Sequence, residues 1–193
     1  KRRLAPAHFN QPMVEGAPVV LTFCADFRRT TLWAENRKAT PGYDNFLSFL
    51  NAATDALLYC QTFCNLAEEG GLGTCFLGTT LYNSGDIVEA LQLPRLVMPV
   101  ATITLGWPDE HPARPDRLPI DGIIHDETYD DYTPARINAF YTFKEQLEEN
   151  RHFVEINHKE TLAQVFTDLR YTKHDNESMS AGLLEVLKQQ GFL

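Results

Sequence analysis

The segment from Asp55 to Asn83 joins an apolar helical pattern, a double glycine and a short apolar strand pattern in direct succession. A double glycine is typical of a helix C-terminus, where one residue adopts a left-handed conformation. The strand pattern then ends at a further glycine, Gly78. A glycine where a strand leaves the core lets bare backbone approach a flat ligand, because no Cβ keeps the ligand away. A capped helix followed by a buried strand would explain the same segment in any protein of mixed helices and strands, so both interpretations stay open here.

Composition limits the classes of protein and partner. The chain has 193 residues, 44% of them hydrophobic, which is enough for one domain over residues 1–193 with a substantial core. Its formal net charge of −9 argues against nucleic acid as a partner, since phosphate binding needs a basic surface. The longest apolar run, near Val97 to Leu105, contains a proline and is too short to span a bilayer, so no membrane partner is expected.

Cysteine and histidine usage predicts no metal site. The four cysteines, at positions 24, 60, 64 and 75, lie in apolar surroundings and are predicted to be reduced core residues of a cytoplasmic protein. Cys60 and Cys64 share one helix face, but no matching His or Cys pair completes a metal site. The six histidines are scattered without ligand spacing.

Apolar periodicity and turn residues predict alternating strands and helices, followed by a helical tail. Strands are predicted at Val19 to Ala25, covered on both faces, at Thr74 to Leu77 and at Val97 to Gly106. Helices are predicted from Phe27 to about Lys38, from about Asp44 to Leu66, from Ser84 to about Leu91, and beyond an N-cap at Thr133. This order predicts a single α+β domain. The helix from Asp44 to Leu66 is apolar nearly all round, which favours a core or a subunit interface.

A second segment, Ala113 to Pro119, reads ARPDRLP and contains Arg114 and Arg117. A phosphate group needs positive charge, and arginine adds a planar fork of donors that fits phosphate oxygens. A polar surface loop with solvated arginines would produce the same heptad. A His-x-x-x-Tyr stretch follows, and its His125 is predicted to be structural rather than catalytic.

Together these segments resemble the oxygen-insensitive NAD(P)H nitroreductase family, whose members bind FMN. Three stretches match in the family's order: the helix and strand before Gly78, the arginine heptad, and the His-x-x-x-Tyr stretch from Gly122 to Tyr129. The apolar strand PVATITLGWP, between the first two, is also similar to a strand of the family. In the first stretch the matched positions are Asp55, Ala56, Leu57, Gln61 and Gly71 to Thr74. The family's N-terminal phosphate-binding segment finds no match, so the chain is expected to lack that part of the family domain.

The resemblance implies a nitroreductase-like α+β fold, with a central, mostly antiparallel sheet flanked by helices and a helical C-terminal extension. It also implies contacts to the flavin ring. The N–H of Gly78 would face the flavin N5, and Phe76 and Leu77 would lie against the ring. Thr79 would add a backbone or hydroxyl contact.

The resemblance further implies that Arg117 binds the FMN phosphate, with Arg114 as a second cation. No residue is implied to act as a nucleophile or a metal ligand, because the flavin performs the chemistry. Some family members have an arginine near the position of Leu81. Its absence here leaves the choice between NADH and NADPH open.

The implied function is that of an enzyme. It would be an FMN-dependent oxidoreductase that takes hydride from NAD(P)H and reduces nitroaromatics, quinones or similar small-molecule acceptors by a ping-pong mechanism. Family members build each flavin pocket from both subunits, which implies a homodimer. Two alternatives remain open: a truncated flavin-binding or interaction module without catalysis, and a flavin reductase on the same fold.

Overall fold

The computed structural model describes residues 1–110 and 112–193, so His111 lies outside the described residues. The chain forms two compact units, Lys1–Glu110 with Glu177–Leu193, and His111–Asn176. The first unit contains the sheet, and the second contains helices and loops. A single domain over residues 1–193 stays a prediction.

The first unit is built around a three-stranded antiparallel sheet in the order β1-β3-β2. Its strands are β1 (Val19–Asp26), β2 (Gly73–Leu77) and β3 (Val97–Gly106). In the register, Ile103 at the centre of β3 lies between Leu21 of β1 and Phe76 of β2. The two outer strands therefore form the edges of this sheet.

The predicted strand bounds are confirmed to within one residue, but the predicted cover of the first strand is wrong. Most of β1 is only half-buried, whereas the first eight residues of β3 are buried. The cause is the position of each strand, since only β3 has a neighbour on both sides. An apolar run shows which residue types a strand contains, but not whether other strands lie beside it, so the two strands look alike in sequence.

Helices cover the sheet of the first unit. They are α1 (Pro12–Gly16), α2 (Arg28–Asn36), α3 (Phe46–Glu69) and α4 (Ser84–Leu91), preceded by a 3₁₀ turn at Pro6–His8. The side-chain oxygen of Asn45 accepts an N–H from the first turn of α3. At its other end, the N–H groups of Gly71 and Leu72 donate back to carbonyls of the last turn, and Gly71 has φ +80°. The double glycine therefore closes α3 in a Schellman motif, as a helix cap.

Different elements pack on the two faces of the sheet. On one face, Cys60 and Cys64 of α3 pack against Ala101 and Ile103 of β3. Side chains alternate along a strand, so Leu77 points to the opposite face from its neighbour Phe76. Leu77 belongs to a second apolar cluster with the N-terminal segment and α4, made of Leu4, Ala5, Ala7, Val14, Leu77 and Ile87.

Helix α3 buries one face and exposes the other. Its buried residues are Ser48, Phe49, Ala53, Cys60, Cys64 and Ala67. Its exposed apolar residues include Leu47, Leu50, Leu57, Leu58 and Leu66. The described residues therefore bury only some of the apolar side chains of α3, and a row of leucines faces outward.

The second unit is mostly helical. It contains a 3₁₀ turn at Ile120–Gly122, α5 (Pro134–Gln146), α6 (Glu148–Ile156), α7 (Leu162–Val165) and a π-helical turn at Phe166–Arg170. The last helix, α8 (Lys173–Gln189), begins in this unit and continues into the first unit. The hydroxyl of Thr133 accepts the N–H of Arg136 at 3.2 Å and caps α5. The predicted helical tail is confirmed, as several helices separated by turns.

The cysteines are free thiols in unequal surroundings. Cys60 and Cys64 are buried, Cys24 is half-buried and Cys75 is exposed, so the predicted core position is wrong for Cys75. Burial, aided by the charge of Asp26, raises the pKa of the Cys24 thiol to about 11. Burial and the neighbouring Cys64 raise the pKa of Cys60 to about 11 as well. Both thiols are therefore protonated at neutral pH.

Candidate functional site

The candidate site is the turn between β2 and α4. The N–H and the hydroxyl of Thr80 both donate to the carbonyl of Leu77, at 3.4 and 3.0 Å. The N–H groups of Tyr82 and Asn83 donate to the carbonyl of Thr79, at 3.1 and 3.2 Å. These hydrogen bonds close the turn on itself and give it a defined conformation.

Gly78, at the start of this turn, presents bare backbone. It is exposed, and a Cβ added to it would meet no atom within 4 Å. Its φ lies outside the left-handed region, unlike that of Gly71. Within the part of the chain that the structure describes, its N–H makes no hydrogen bond. Neither backbone conformation nor packing in the described residues requires glycine here, and the N–H is free to donate to a ligand.

Phe76 and Leu77 lie on opposite faces of β2. The side chain of Phe76 is 48% exposed, and Phe76 lies two residues before Gly78. The side chain of Leu77 is 4% exposed and packs in the cluster that contains Ile87. A flat ligand beside the strand can therefore meet the side chain of Phe76, but only the backbone of Leu77.

The side chain of Thr79 points into the protein. Its hydroxyl lies 2.7 Å from Nδ1 of His8, and both side chains are buried. Next to this contact, the side-chain amide of Asn83 donates to the carbonyl of Ala7 at 2.8 Å. The hydroxyl of Thr79 is thus already engaged, and its carbonyl accepts from Tyr82 and Asn83, which leaves its backbone N–H for a ligand.

The two predicted phosphate ligands lie in the second unit. Arg114 and Arg117 are both exposed, and the guanidinium of Arg117 donates only to the carbonyls of Pro115 and Asp116, at 3.4 and 3.1 Å. The carboxylate of Asp116 is instead paired with the ammonium of Lys144, at 2.9 and 3.1 Å. Among the described residues, the charge of Arg117 has no carboxylate partner, which suits an anion-binding role.

His125 has a structural position, in agreement with its interpretation from sequence. Its ring stacks on Tyr129 with a centroid distance of 4.3 Å. Its Nδ1 accepts the N–H of Asp130 at 3.1 Å, and its Nε2 lies 3.3 Å from the hydroxyl of Tyr132. That hydroxyl in turn donates to the carbonyl of Gly122 at 3.0 Å. Both ring nitrogens are used to hold the loop.

Comparison with known proteins decides the family. The model of the Nitroreductase family matches residues 2–107 of this chain. The chain belongs to the nitroreductase family. The structural neighbours of this family confirm the predicted α+β, nitroreductase-like fold.

Three related proteins illustrate the nitroreductase similarity. An FMN reductase (NAD(P)H) from Bacillus subtilis strain 168 is 31% identical over 205 residues, which cover 100% of this chain and 76% of the relative. An oxygen-insensitive NADPH nitroreductase from Salmonella typhimurium is 29% identical over 151 residues, which cover 77% of this chain and 59% of the relative. A crystal structure of a candidate oxidoreductase from Bacteroides fragilis NCTC 9343 has a TM-score of 0.97 and 62% identity, and covers 100% of this chain and 78% of that one.

The nitroreductase match is uneven along the chain. The family model ends at residue 107, before Arg114 and Arg117, whereas the Bacillus subtilis relative aligns with the whole chain. The chain spans 76% of that relative's length and 59% of the Salmonella typhimurium relative's length. The predicted absence of the family's N-terminal segment stays a prediction.

Two residues of the turn's surroundings were missed by sequence reasoning. His8 and Asn83 tie the turn to the N-terminal segment, and the residues of the His8–Thr79 contact are 71 positions apart. No local pattern marks such a pair. The only sequence signal was a histidine in an apolar context, which is more often a packed core residue than a site residue.

Residues 1–110 and 112–193 form neither a metal centre nor a helix that could span a membrane. Across residues 1–110 and 112–193, no group of three His, Cys, Asp or Glu side chains is placed to hold a metal ion. No helix formed by the same residues is long and apolar enough to cross a membrane.

Acidification is expected to weaken the fold through His8. Burial lowers the pKa of His8 below its ordinary value of 6.5. Between the folded-state pKa and 6.5 the unfolded chain binds the proton more readily, so the free energy of unfolding falls as pH drops through this range. Urea unfolding at pH about 7.5 and about 5.5 measures the effect. The His8→Asn variant should lose less stability between these two conditions, and an equal loss in both proteins would contradict the prediction.

Proposed function

We propose that the chain is an FMN-dependent oxidoreductase that takes hydride from NAD(P)H and reduces nitroaromatics, quinones or similar small-molecule acceptors by a ping-pong mechanism. The observation that carries this proposal is the free N–H of the exposed Gly78, which follows the edge strand β2 two residues after the exposed Phe76. Relatives named FMN reductase and NADPH nitroreductase support it.

The described residues fit the chemistry of FMN. The open space at Gly78 admits the edge of a flat ring, and its N–H supplies a donor without a competing partner. Phe76 offers an apolar surface, Leu77 offers its backbone for van der Waals contact, and Thr79 offers its backbone N–H. From the family resemblance we also propose Arg117 and Arg114 as phosphate ligands, because arginine fits phosphate oxygens. The flavin supplies the two-electron chemistry when bound, and the protein binds it, orients it and excludes competing reactions.

A flavin reductase is the second candidate function. The relative that aligns with the whole chain is named an FMN reductase, which favours this candidate over the non-catalytic module. The two enzymes differ in whether the flavin leaves the protein. A reductase of free flavin would release reduced FMN during turnover, whereas the proposed enzyme would retain it.

Spectroscopy of the purified protein tests the proposed function. The protein should be yellow, or become so after addition of FMN and removal of excess, and NADPH should bleach the visible absorption. Gel filtration during turnover then separates retained from released flavin. A colourless protein that does not respond to added FMN would refute both candidate functions.

The proposal includes a homodimer in the cytoplasm. The outward-facing leucines of α3 form an exposed apolar row, of the kind that marks protein interfaces. The four free cysteines suit a reducing compartment. A solution mass equal to one chain at micromolar concentration would contradict the dimer.

Replacing Arg117 by alanine is expected to weaken FMN retention by about tenfold, because one charge-assisted contact to the phosphate is lost. The fold should not change, since this exposed side chain bonds only neighbouring carbonyls. Equilibrium titration of apoprotein with FMN measures the affinity. Arg151→Ala is the matched control, because Arg151 is also exposed and donates only to the carbonyl of Gln146. Equal affinity in wild type and Arg117→Ala would remove the phosphate assignment.

A further inference from the structure

His8 is a fully buried histidine that the proposed chemistry does not use. It ends the 3₁₀ turn at Pro6–His8, next to the apolar cluster that contains Ala7 and Leu77. Its Nδ1 lies 2.7 Å from the hydroxyl of Thr79. Its Nε2 is buried and has no hydrogen-bond partner among the described residues.

Packing alone does not explain a histidine at this position. An apolar side chain of similar size would fill the same space without a buried unpaired nitrogen, which destabilises a folded protein. Unlike an apolar side chain, the imidazole has a nitrogen, Nδ1, that forms a hydrogen bond with the turn of the candidate site. Burial lowers the pKa of His8, so the ring is neutral at pH 7 and forms this contact as an ordinary hydrogen bond.

The contact is one of two long-range tethers on the same turn. The other joins the side-chain amide of Asn83 to the carbonyl of Ala7, at 2.8 Å. The tethers act on the first and last parts of the turn, while Gly78 itself lies outside them and is exposed. The N-terminal segment therefore restrains the backbone that follows the free N–H of Gly78, at Thr79 and at Asn83.

We propose that His8 is a positioning residue of the flavin site, which holds the turn through the hydroxyl of Thr79 so that the N–H of Gly78 faces outward at the sheet edge. This inference rests on the proposed function. Without the tether the turn samples more conformations, and the N–H is aligned in a smaller fraction of molecules. The apparent affinity for FMN falls in proportion to that fraction.

A double-mutant cycle tests the tether. His8→Leu and Thr79→Val each remove one side of the hydrogen bond, and each should weaken FMN binding by roughly fivefold to tenfold. The FMN affinity of the double variant should equal that of the single variant with the lower affinity, because only one interaction is lost. Additive losses would overturn the inference, and so would unchanged affinity in either single variant.

A conservative variant and a packing control separate positioning from stability. His8→Asn places an amide atom near the position of Nδ1, and should restore FMN affinity to within about twofold of wild type. Val14→Ala removes buried volume from the same apolar cluster, so it should lower stability without changing FMN affinity. An equal loss of affinity in Val14→Ala would show that general destabilisation is the cause, and would overturn the inference.

Two further readouts distinguish failure of this inference from failure of the proposed function. Hydrogen exchange of the amides of residues 78–83 in the apoprotein reports the tether without flavin, and His8→Leu should accelerate it. Unchanged exchange overturns the inference even if wild type binds FMN. The reduction potential of bound FMN should shift in His8→Leu but not in Val14→Ala. Failure of wild type to bind FMN refutes the proposed function and the flavin part of this inference, while the exchange result still decides the tether.

Discussion

Replacing Gly78 by leucine is expected to reduce the affinity for FMN by on the order of 100-fold while the protein stays folded. A side chain at this position would occupy the open space beside the N–H, so a flat ring could not come within hydrogen-bond distance. The protein itself has room for the side chain, because an added Cβ meets no atom within 4 Å and the backbone is not left-handed. The unfolded chain would also lose some conformational freedom, so thermal stability should be equal or slightly higher.

The measurement is FMN titration of the apoprotein, with the melting temperature determined in parallel. Gly78→Ala should fall between wild type and Gly78→Leu, since a single methyl group interferes less. Gly42→Leu is the matched control: a Cβ at Gly42 also meets no atom within 4 Å, and Gly42 lies in the loop before α3. Wild-type affinity in Gly78→Leu would show that the ring does not lie against this turn, and the proposed site would be wrong.

Element bounds in this chain could be predicted because local residues determine them. The apolar runs, the double glycine after α3 and the Thr133 cap each act within one turn or strand, and the structure confirms all three. Burial could not be predicted in the same way. β1 and β3 have similar composition, and only their place in the sheet makes one an edge and the other the centre.

The candidate site shows the same limit at the level of single residues. Gly78 could be singled out because it ends a strand, which is a local property. The inward orientation of Leu77 follows from strand alternation once the register is known. The engagement of Thr79 by His8 depends on a partner 71 residues away, and no window of sequence contains both. The roles of Arg114 and Arg117 rest on the family resemblance, and they stay predictions.

Replacing Phe192 by alanine is expected to destabilise the first unit by about 3–5 kcal/mol, which is the usual cost of removing a buried phenyl ring. Phe192 is fully buried, and its ring lies 5.5 Å from that of Phe49 of α3. Gly191, with φ +80°, turns the chain after α8, and the carbonyl of Gln190 accepts the N–H of Leu96 at 2.8 Å. The chain end is therefore docked by backbone and side chain together, and a large cavity would remain in the core cluster.

Urea unfolding monitored by tryptophan fluorescence measures this loss, because Trp33 and Trp107 both belong to the first unit. Leu193→Ala provides a matched control one residue away, since Leu193 is 55% exposed and its truncation should change stability by no more than about 0.5 kcal/mol. The total stability of a domain is only about 5–15 kcal/mol, so the Phe192 variant should unfold at a much lower urea concentration. Equal midpoints for the two variants would mean that the chain end is undocked in solution. Residues other than Phe192 would then have to fill this part of the core of the first unit.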